Sequence, residues 1–183
     1  MKTIILYKTK YGSTKIYAQW LAEELGAELA RTEAVSATSL GACDQIILGG
    51  SLFASGIRGV TWLKKNYAQL HGKRIAVFAV GASPCEEHTL AEVRQHNLEP
   101  ELSELPLFYL RGRFDVENMT WSDRKLCALL KRQWEKKPAN ELSGLERALL
   151  EAYSHNNGAP ATFNWMSKDQ LSPICAWARE SAP

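Results

Sequence analysis

The chain has 183 residues, 45% of them hydrophobic and 23% charged, which is enough for one domain to bury its own core and excludes a disordered or fibrous protein. Its formal charge of +2 is too small to argue for nucleic acid as a partner. No apolar run approaches the roughly 20 residues needed to span a bilayer, and the N-terminus lacks the regions of a signal peptide, so a cytoplasmic location is expected.

Residues 3 to 7 are almost wholly apolar, as expected of a parallel strand covered on both faces. The stretch Thr9-Lys10-Tyr11-Gly12-Ser13-Thr14 follows, and then an amphipathic run with Ile16, Trp20, Leu21 and Leu25 at helical spacing and Gly26 at the C-cap position. A strand-to-helix loop of this composition can hold a phosphate. The unpaired N–H groups of the helix start point outward with the positive end of the dipole behind them, and the Thr9, Ser13 and Thr14 hydroxyls add donors. The same residues also suit an ordinary helix start, with Ser13 or Thr14 as N-cap and Gly12 as a turn residue. Neither G-x-G-x-x-G nor G-x-x-x-x-G-K-[ST] is present, since Lys15 follows the threonine.

Residues 28 to 32 pattern weakly, as an edge strand would. Residues 45 to 51 form a strong buried strand that ends in Gly50-Ser51-Leu52-Phe53-Ala54-Ser55-Gly56 and leads into a helix carrying Ile57, Val60, Leu63, Tyr67 and Leu70. In an open α/β sheet, ligands bind beyond the carboxyl ends of the strands where the strand order reverses, so this loop should meet the first. Leu52 and Phe53 would be exposed in an empty protein and covered by a bound ligand; the alternative is that Phe53 folds back onto the core. Residues 74 to 80 form the next strand. It runs into Gly81-Ala82-Ser83-Pro84-Cys85, where small residues leave room for a ligand and Ser83 and Pro84 also suit a helix start.

From residue 86 to 104 the chain carries six Glu against one Arg, a solvated helix and loop that beside a binding site could repel or guide a partner. His88 and His96 have no ligand-spaced companions, and Cys43, Cys85, Cys127 and Cys175 form no C-x-x-C, so no metal site is expected. Residues 107 to 113 complete a fifth strand. About fifty residues, 114 to 167, then intervene before a closing helix at 168 to 180, marked by Leu171, Cys175 and Ala178. Within them, residues 121 to 137 predict a helix with Leu126, Leu129, Leu130 and Trp134 as its apolar side and a local excess of four positive charges. Such a helix, with Trp near both ends, suits an anionic membrane surface; the alternative is that the apolar side packs on the domain and the charges are solvated. Residues 141 to 153 predict a second helix, through Leu142, Leu145, Leu149, Leu150 and Tyr153, followed by a turn at 156 to 160.

Thr-x-Tyr-Gly-Ser-Thr directly after the first strand resembles the phosphate loop of flavodoxin-like proteins, whose pattern is Thr/Ser-x-Thr/Tyr-Gly-x-Thr. Gly49-Gly50-Ser51, Gly56, Trp62-Leu63-Lys64-Lys65 and, after the fifth strand, Trp121-Ser122-Asp123-Arg124-Lys125 resemble the branch of that family that includes menaquinone-dependent protoporphyrinogen oxidase. The flavodoxin likeness covers residues 1 to 113 and 168 to 180, whereas residues 138 to 160 match no named pattern and leave the substrate open.

The resemblance implies a single flavodoxin-like α/β domain over 1–183, with a doubly wound five-stranded parallel sheet in the order 2-1-3-4-5 and a helical insertion at 114–167. It implies FMN, with Thr9, Lys10, Tyr11, Gly12, Ser13 and Thr14 at its phosphate. Ser51, Leu52, Phe53, Ala54, Ser55 and Gly56, with Val80, Gly81, Ala82 and Ser83, would border its ring. A backbone group around Ser55-Gly56 would favour one redox state. No side chain is nominated as acid, base or nucleophile, because the flavin carries the redox chemistry. The expected function is that of an FMN-dependent oxidoreductase of the protoporphyrinogen-oxidase-like type, with the insertion walling a quinone or small organic substrate. The rivals are an electron carrier serving a redox partner protein, against which the near-neutral charge argues, and a flavin-free binding module. Peripheral membrane contact would run through residues 121–137, and the oligomeric state is open.

Overall fold

A computed structural model of the chain describes residues 1–53, 55–154 and 162–180. The strands β1 (Thr3–Lys8), β2 (Glu28–Arg31), β3 (Gln45–Phe53), β5 (Arg74–Gly81) and β6 (Leu107–Arg111) form a parallel sheet in the order β2-β1-β3-β5-β6. The two-residue β4 (Gly56–Ile57) turns back antiparallel on the end of β3. The reversal of strand order therefore falls between β1 and β3, and the loops after β1, β3 and β5 share one edge of the sheet.

Successive residues of a strand point to opposite faces, and here both faces are covered, which is why the strands read as unbroken apolar runs. Ile4, Leu6, Ile46, Leu48, Val77 and Ala79 pack on one side with Val60 and Leu63 of α2 (Val60–Asn66) and Val93 of α3 (Glu87–Asn97). Ile5, Ile47, Phe78 and Val80 pack on the other with Tyr17, Ala18 and Leu21 of α1 (Ser13–Leu25) and with the closing segment. That segment is a 3-10 turn, Lys168–Leu171, leading into α6 (Ser172–Arg179), which buries Ile174, Cys175 and Ala178. The buried Tyr17 ties the two ends of this layer together. Its hydroxyl donates to the Arg111 carbonyl at 2.7 Å and accepts from Gln170 Nε2 at 2.7 Å, while Gln170 Oε1 accepts the Arg111 N–H at 2.7 Å.

The helix expected from Ile57 starts only at Val60. Ile57 is spent on β4, and Gly59 opens the helix at φ 98°, a left-handed conformation that residues with a Cβ rarely adopt. The strand expected over 107 to 113 ends at Arg111. After Gly112 the chain enters β7 (Arg113–Asp115), which pairs antiparallel with β8 (Thr162–Asn164).

Between β7 and β8 stand α4 (Trp121–Trp134) and α5 (Gly144–Ser154). Thr120 caps α4, accepting the Asp123 N–H. Phe114, Val116, Trp134 and Leu149 make a third, smaller core under these helices. Trp134 is buried, not presented at the helix surface, while Leu126 and Leu129 are exposed; the apolar side expected for this helix is thus split. The turn expected at 156 to 160 and the side chains of Leu145 and Tyr153 lie outside what the structure describes.

Candidate functional site

The loop after β1 closes on itself. Thr9 Oγ1 accepts the Gly12 N–H at 3.0 Å, and Gly12 enters α1 at φ 93°. This aims the first turn of α1, whose N–H groups have no intrahelical carbonyl to bond, at the edge of the sheet. Ser13 and Thr14 are buried there. Ser13 Oγ accepts the Arg113 N–H at 3.2 Å, whereas Thr14 Oγ1 is wholly buried with no partner.

The loop after β3 is a tight return between Phe53 and Gly56. Ser51 Oγ is buried there and also lacks a partner. Ser55 has a φ of 65°, and no other non-glycine residue among those described has a positive φ. Its carbonyl is held by Asn97 of α3. The buried Asn97 amide donates from Nδ2 to Ser55 O and to Val93 O, both at 2.8 Å, and accepts the Ile57 N–H on Oδ1 at 2.6 Å.

The loop after β5 is shaped from β6. The Tyr109 hydroxyl donates to the Ser83 carbonyl at 3.1 Å and lies where a Cβ on Gly81 would stand, so only glycine fits there. Burial pushes the Tyr109 phenol above its ordinary pKa, which keeps it a neutral donor. Arg111 Nε donates to the Ala82 carbonyl at 3.1 Å.

These three loops line one cleft of about 1350 Å³. Thr9, Lys10, Tyr11, Ser13 and Thr14 contribute from the first; Ser51, Leu52, Phe53 and Ser55 from the second; and Val80, Gly81, Ala82 and Ser83 from the third. Gly12 and Gly56 do not line it and act by turning the backbone, and Ala54 lies outside the described residues. Phe53 is 39% exposed and does not fold back onto the core.

The insertion supplies the far wall. Met119, Leu126, Leu130, Trp134, Leu142 and Leu149 face the cleft, while Glu86, His88, Glu92 and His96 rim it from the α3 side. Asp123 of α4 locks this wall to the first loop. Its carboxylate lies 2.5 Å from Lys10 Nζ and accepts the Tyr11 hydroxyl, and Lys10 Nζ in turn stands 3.7 Å from the centroid of the Phe53 ring. The hydrogen bond from Lys10, then that from Tyr11, holds the Asp123 carboxyl below the usual carboxylate range.

This arrangement suits a phosphate ester carrying a flat apolar body. A helix N-terminus meets two buried hydroxyls, Thr14 and Ser51, that have no protein partner, and buried polar groups without partners are costly unless a ligand or water satisfies them. Beside them, Leu52, Phe53 and the small residues 81 to 83 leave a slot with apolar walls.

Asn97, Tyr109 and Asp123 are the site residues that sequence reasoning missed. Asp123 stands out in sequence only as a helix opener. Tyr109 reads as one apolar position in a strand, and Asn97 as a polar residue in an acidic stretch.

A family model of the flavodoxin domain matches residues 4–141. No curated protein sequence matches the chain. Among solved structures, a flavodoxin from the domain Archaea is 17% identical, covering 71% of this chain and 93% of that one, with a TM-score of 0.43. Oxidised Flavodoxin 2 from Bacillus cereus is 23% identical over 61% of this chain and 84% of its own, with a TM-score of 0.44. The rubredoxin oxygen:oxidoreductase from the anaerobe Desulfovibrio gigas is 17% identical over 86% of this chain and 37% of its own, with a TM-score of 0.44.

Proposed function

The chain belongs to the flavodoxin domain family, whose cofactor is FMN, and on that premise we propose that it is an FMN-dependent oxidoreductase acting on an apolar organic substrate, of the protoporphyrinogen-oxidase-like type. The first turn of α1, with the Thr14 and Ser51 hydroxyls, would hold the phosphate; Leu52, Phe53 and residues 80 to 83 would border the ring. FMN supplies the redox chemistry when bound, and the chain supplies placement, burial and exclusion of water. Asn97 fixes the return at Ser55, Tyr109 fixes the loop at Ser83, and Asp123 anchors the wall that closes the far side.

The observation that carries the reading is that wall. A carrier that passes single electrons needs its cofactor edge open to a partner protein. Here the insertion places leucines, Met119 and Trp134 along the cleft, whose volume exceeds the ~300–1,000 Å³ of a typical single-ligand pocket. The wall from the insertion, with Leu126, Leu130, Leu142 and Leu149, would take the apolar body of a second, organic molecule.

Incubating FMN-loaded protein with protoporphyrinogen and a menaquinone analogue tests this reading. Oxidation of the porphyrinogen that depends on both FMN and the quinone supports it. Rapid reduction by a flavodoxin reductase, with no turnover of an organic substrate, would assign the protein to the carrier class instead.

A further inference from the structure

Helix α4 carries two chemistries on opposite sides. Asp123, Cys127, Leu130 and Trp134 recur at intervals of three and four and face the cleft and the small core beneath it. On the other side, Trp121, Arg124, Lys125, Leu129 and Arg132 recur at the same intervals, Lys136 follows just past the helix end, and all are exposed. Trp121 is 67% exposed and Leu129 is 55% exposed, two of the most exposed large apolar side chains among those described. Lys125 Nζ stands 3.9 Å from the Trp121 ring centroid, and Arg124, Arg132 and Lys136 have no ion-pair partner among the described residues.

What sets this face apart is that an outward Trp and Leu stand among these unpaired cations. We propose that this outer face docks the protein peripherally on an anionic lipid bilayer. An indole and a leucine framed by uncompensated cations match the boundary of such a surface: the rings enter the headgroup layer, and the Lys and Arg stems reach up to the phosphates. Charge complementarity selects the occupant. Two apolar side chains fall far short of the ~800 Å² per partner that a stable protein interface buries, whereas lipid docking needs only a few apolar groups summed with several charges. No helix among the described residues is long and apolar enough to cross a membrane, so the contact is lateral. The inference does not depend on the oxidoreductase reading, because none of these outer side chains lines the cleft.

Co-sedimentation of the full chain with vesicles tests it. With equimolar phosphatidylglycerol and phosphatidylcholine the protein is expected to pellet, with phosphatidylcholine alone to stay in solution, and added salt should release it. Trp121→Ser with Leu129→Ser, and separately Arg124→Glu with Arg132→Glu, should each weaken the binding by more than about tenfold. Both double variants should bind FMN like the parent, which shows that they are folded. Failure of the parent to pellet with anionic vesicles, or equal pelleting of folded variants and parent, would overturn the proposal. Equal binding to neutral vesicles would overturn the electrostatic part.

Discussion

Asn97 and Ser55 are joined across 42 residues by a 2.8 Å hydrogen bond from the Asn97 amide to the Ser55 carbonyl. The bond sets which way the Ser55–Gly56 peptide points. With its carbonyl turned to Asn97, a trans peptide turns the Gly56 N–H the other way. The same amide carries Ile57, so one buried side chain holds the outgoing side of the return in which Ser55 takes a left-handed φ.

Removing that amide should disturb the loop more than the fold. Asn97→Ala strands a buried Ile57 N–H and frees Ser55, and should lower stability by about 1–3 kcal/mol. Asn97→Asp keeps the acceptor for Ile57 but sets a carboxylate against two carbonyls. Both variants should shift the midpoint potential of bound FMN and speed amide exchange at Ile57 in the apoprotein. An unchanged potential would reduce Asn97 to a structural clamp.

Thr14 should separate binding from folding. Its hydroxyl is buried with no partner, so Thr14→Val, which keeps the shape, should leave the melting temperature of the apoprotein unchanged or raise it. FMN affinity should fall by about 10- to 150-fold, since a hydrogen bond to a charged group contributes roughly 1.5–3 kcal/mol. Titration by flavin fluorescence quenching reads the affinity. A melting temperature that falls while affinity holds would contradict the assignment.

The pairing of Asp123 with Lys10 gives the wall a pH dependence of known sign. A carboxyl whose folded pKa is depressed contributes stability that is fully present above its unfolded value, about 3.9, and lost as pH falls through the folded value. The docking of α4 should therefore be intact at neutral pH and loosen below about pH 4. Asp123→Asn should cost about 1–3 kcal/mol at pH 7 and abolish this acid step. Amide exchange in α4 against pH distinguishes the parent from the variant.

Gly81 and Tyr109 should behave as a coupled pair. A Cβ at Gly81 meets the Tyr109 hydroxyl and comes to 3.0 Å from Leu52 Cδ1. Gly81→Ala should destabilise by about 1–3 kcal/mol and weaken FMN binding. Tyr109→Phe, which removes the clashing oxygen, should recover part of that loss, and a double-mutant cycle by thermal melting measures the coupling. Additive losses would show that the hydroxyl is not what excludes the methyl group.

Much of this fold is legible in the sequence because parallel strands covered on both faces read as apolar runs, as at Ile46-Ile47-Leu48 and Val77-Phe78-Ala79-Val80, and because glycine and hydroxyl residues mark where such strands end. The loop residues that line the cleft follow from that punctuation. Asn97 was hidden because its partners are backbone groups on another element, which no periodicity reports. The phase of α4 was hidden because its leucines and cations share faces: Leu129 points out and Leu130 points in, one position apart. The pairing of β7 with β8 joins segments separated by the whole insertion, and three-residue strands carry too short a pattern to be seen.

The central claim is that the three loops form a working FMN site. Titrating apoprotein with FMN while recording the visible absorption spectrum tests it most directly. The account predicts saturable binding of one FMN per chain with a bound-flavin spectrum. A cooperatively melting apoprotein that shows no saturable binding would contradict it, and would leave the fold without the redox function assigned to it.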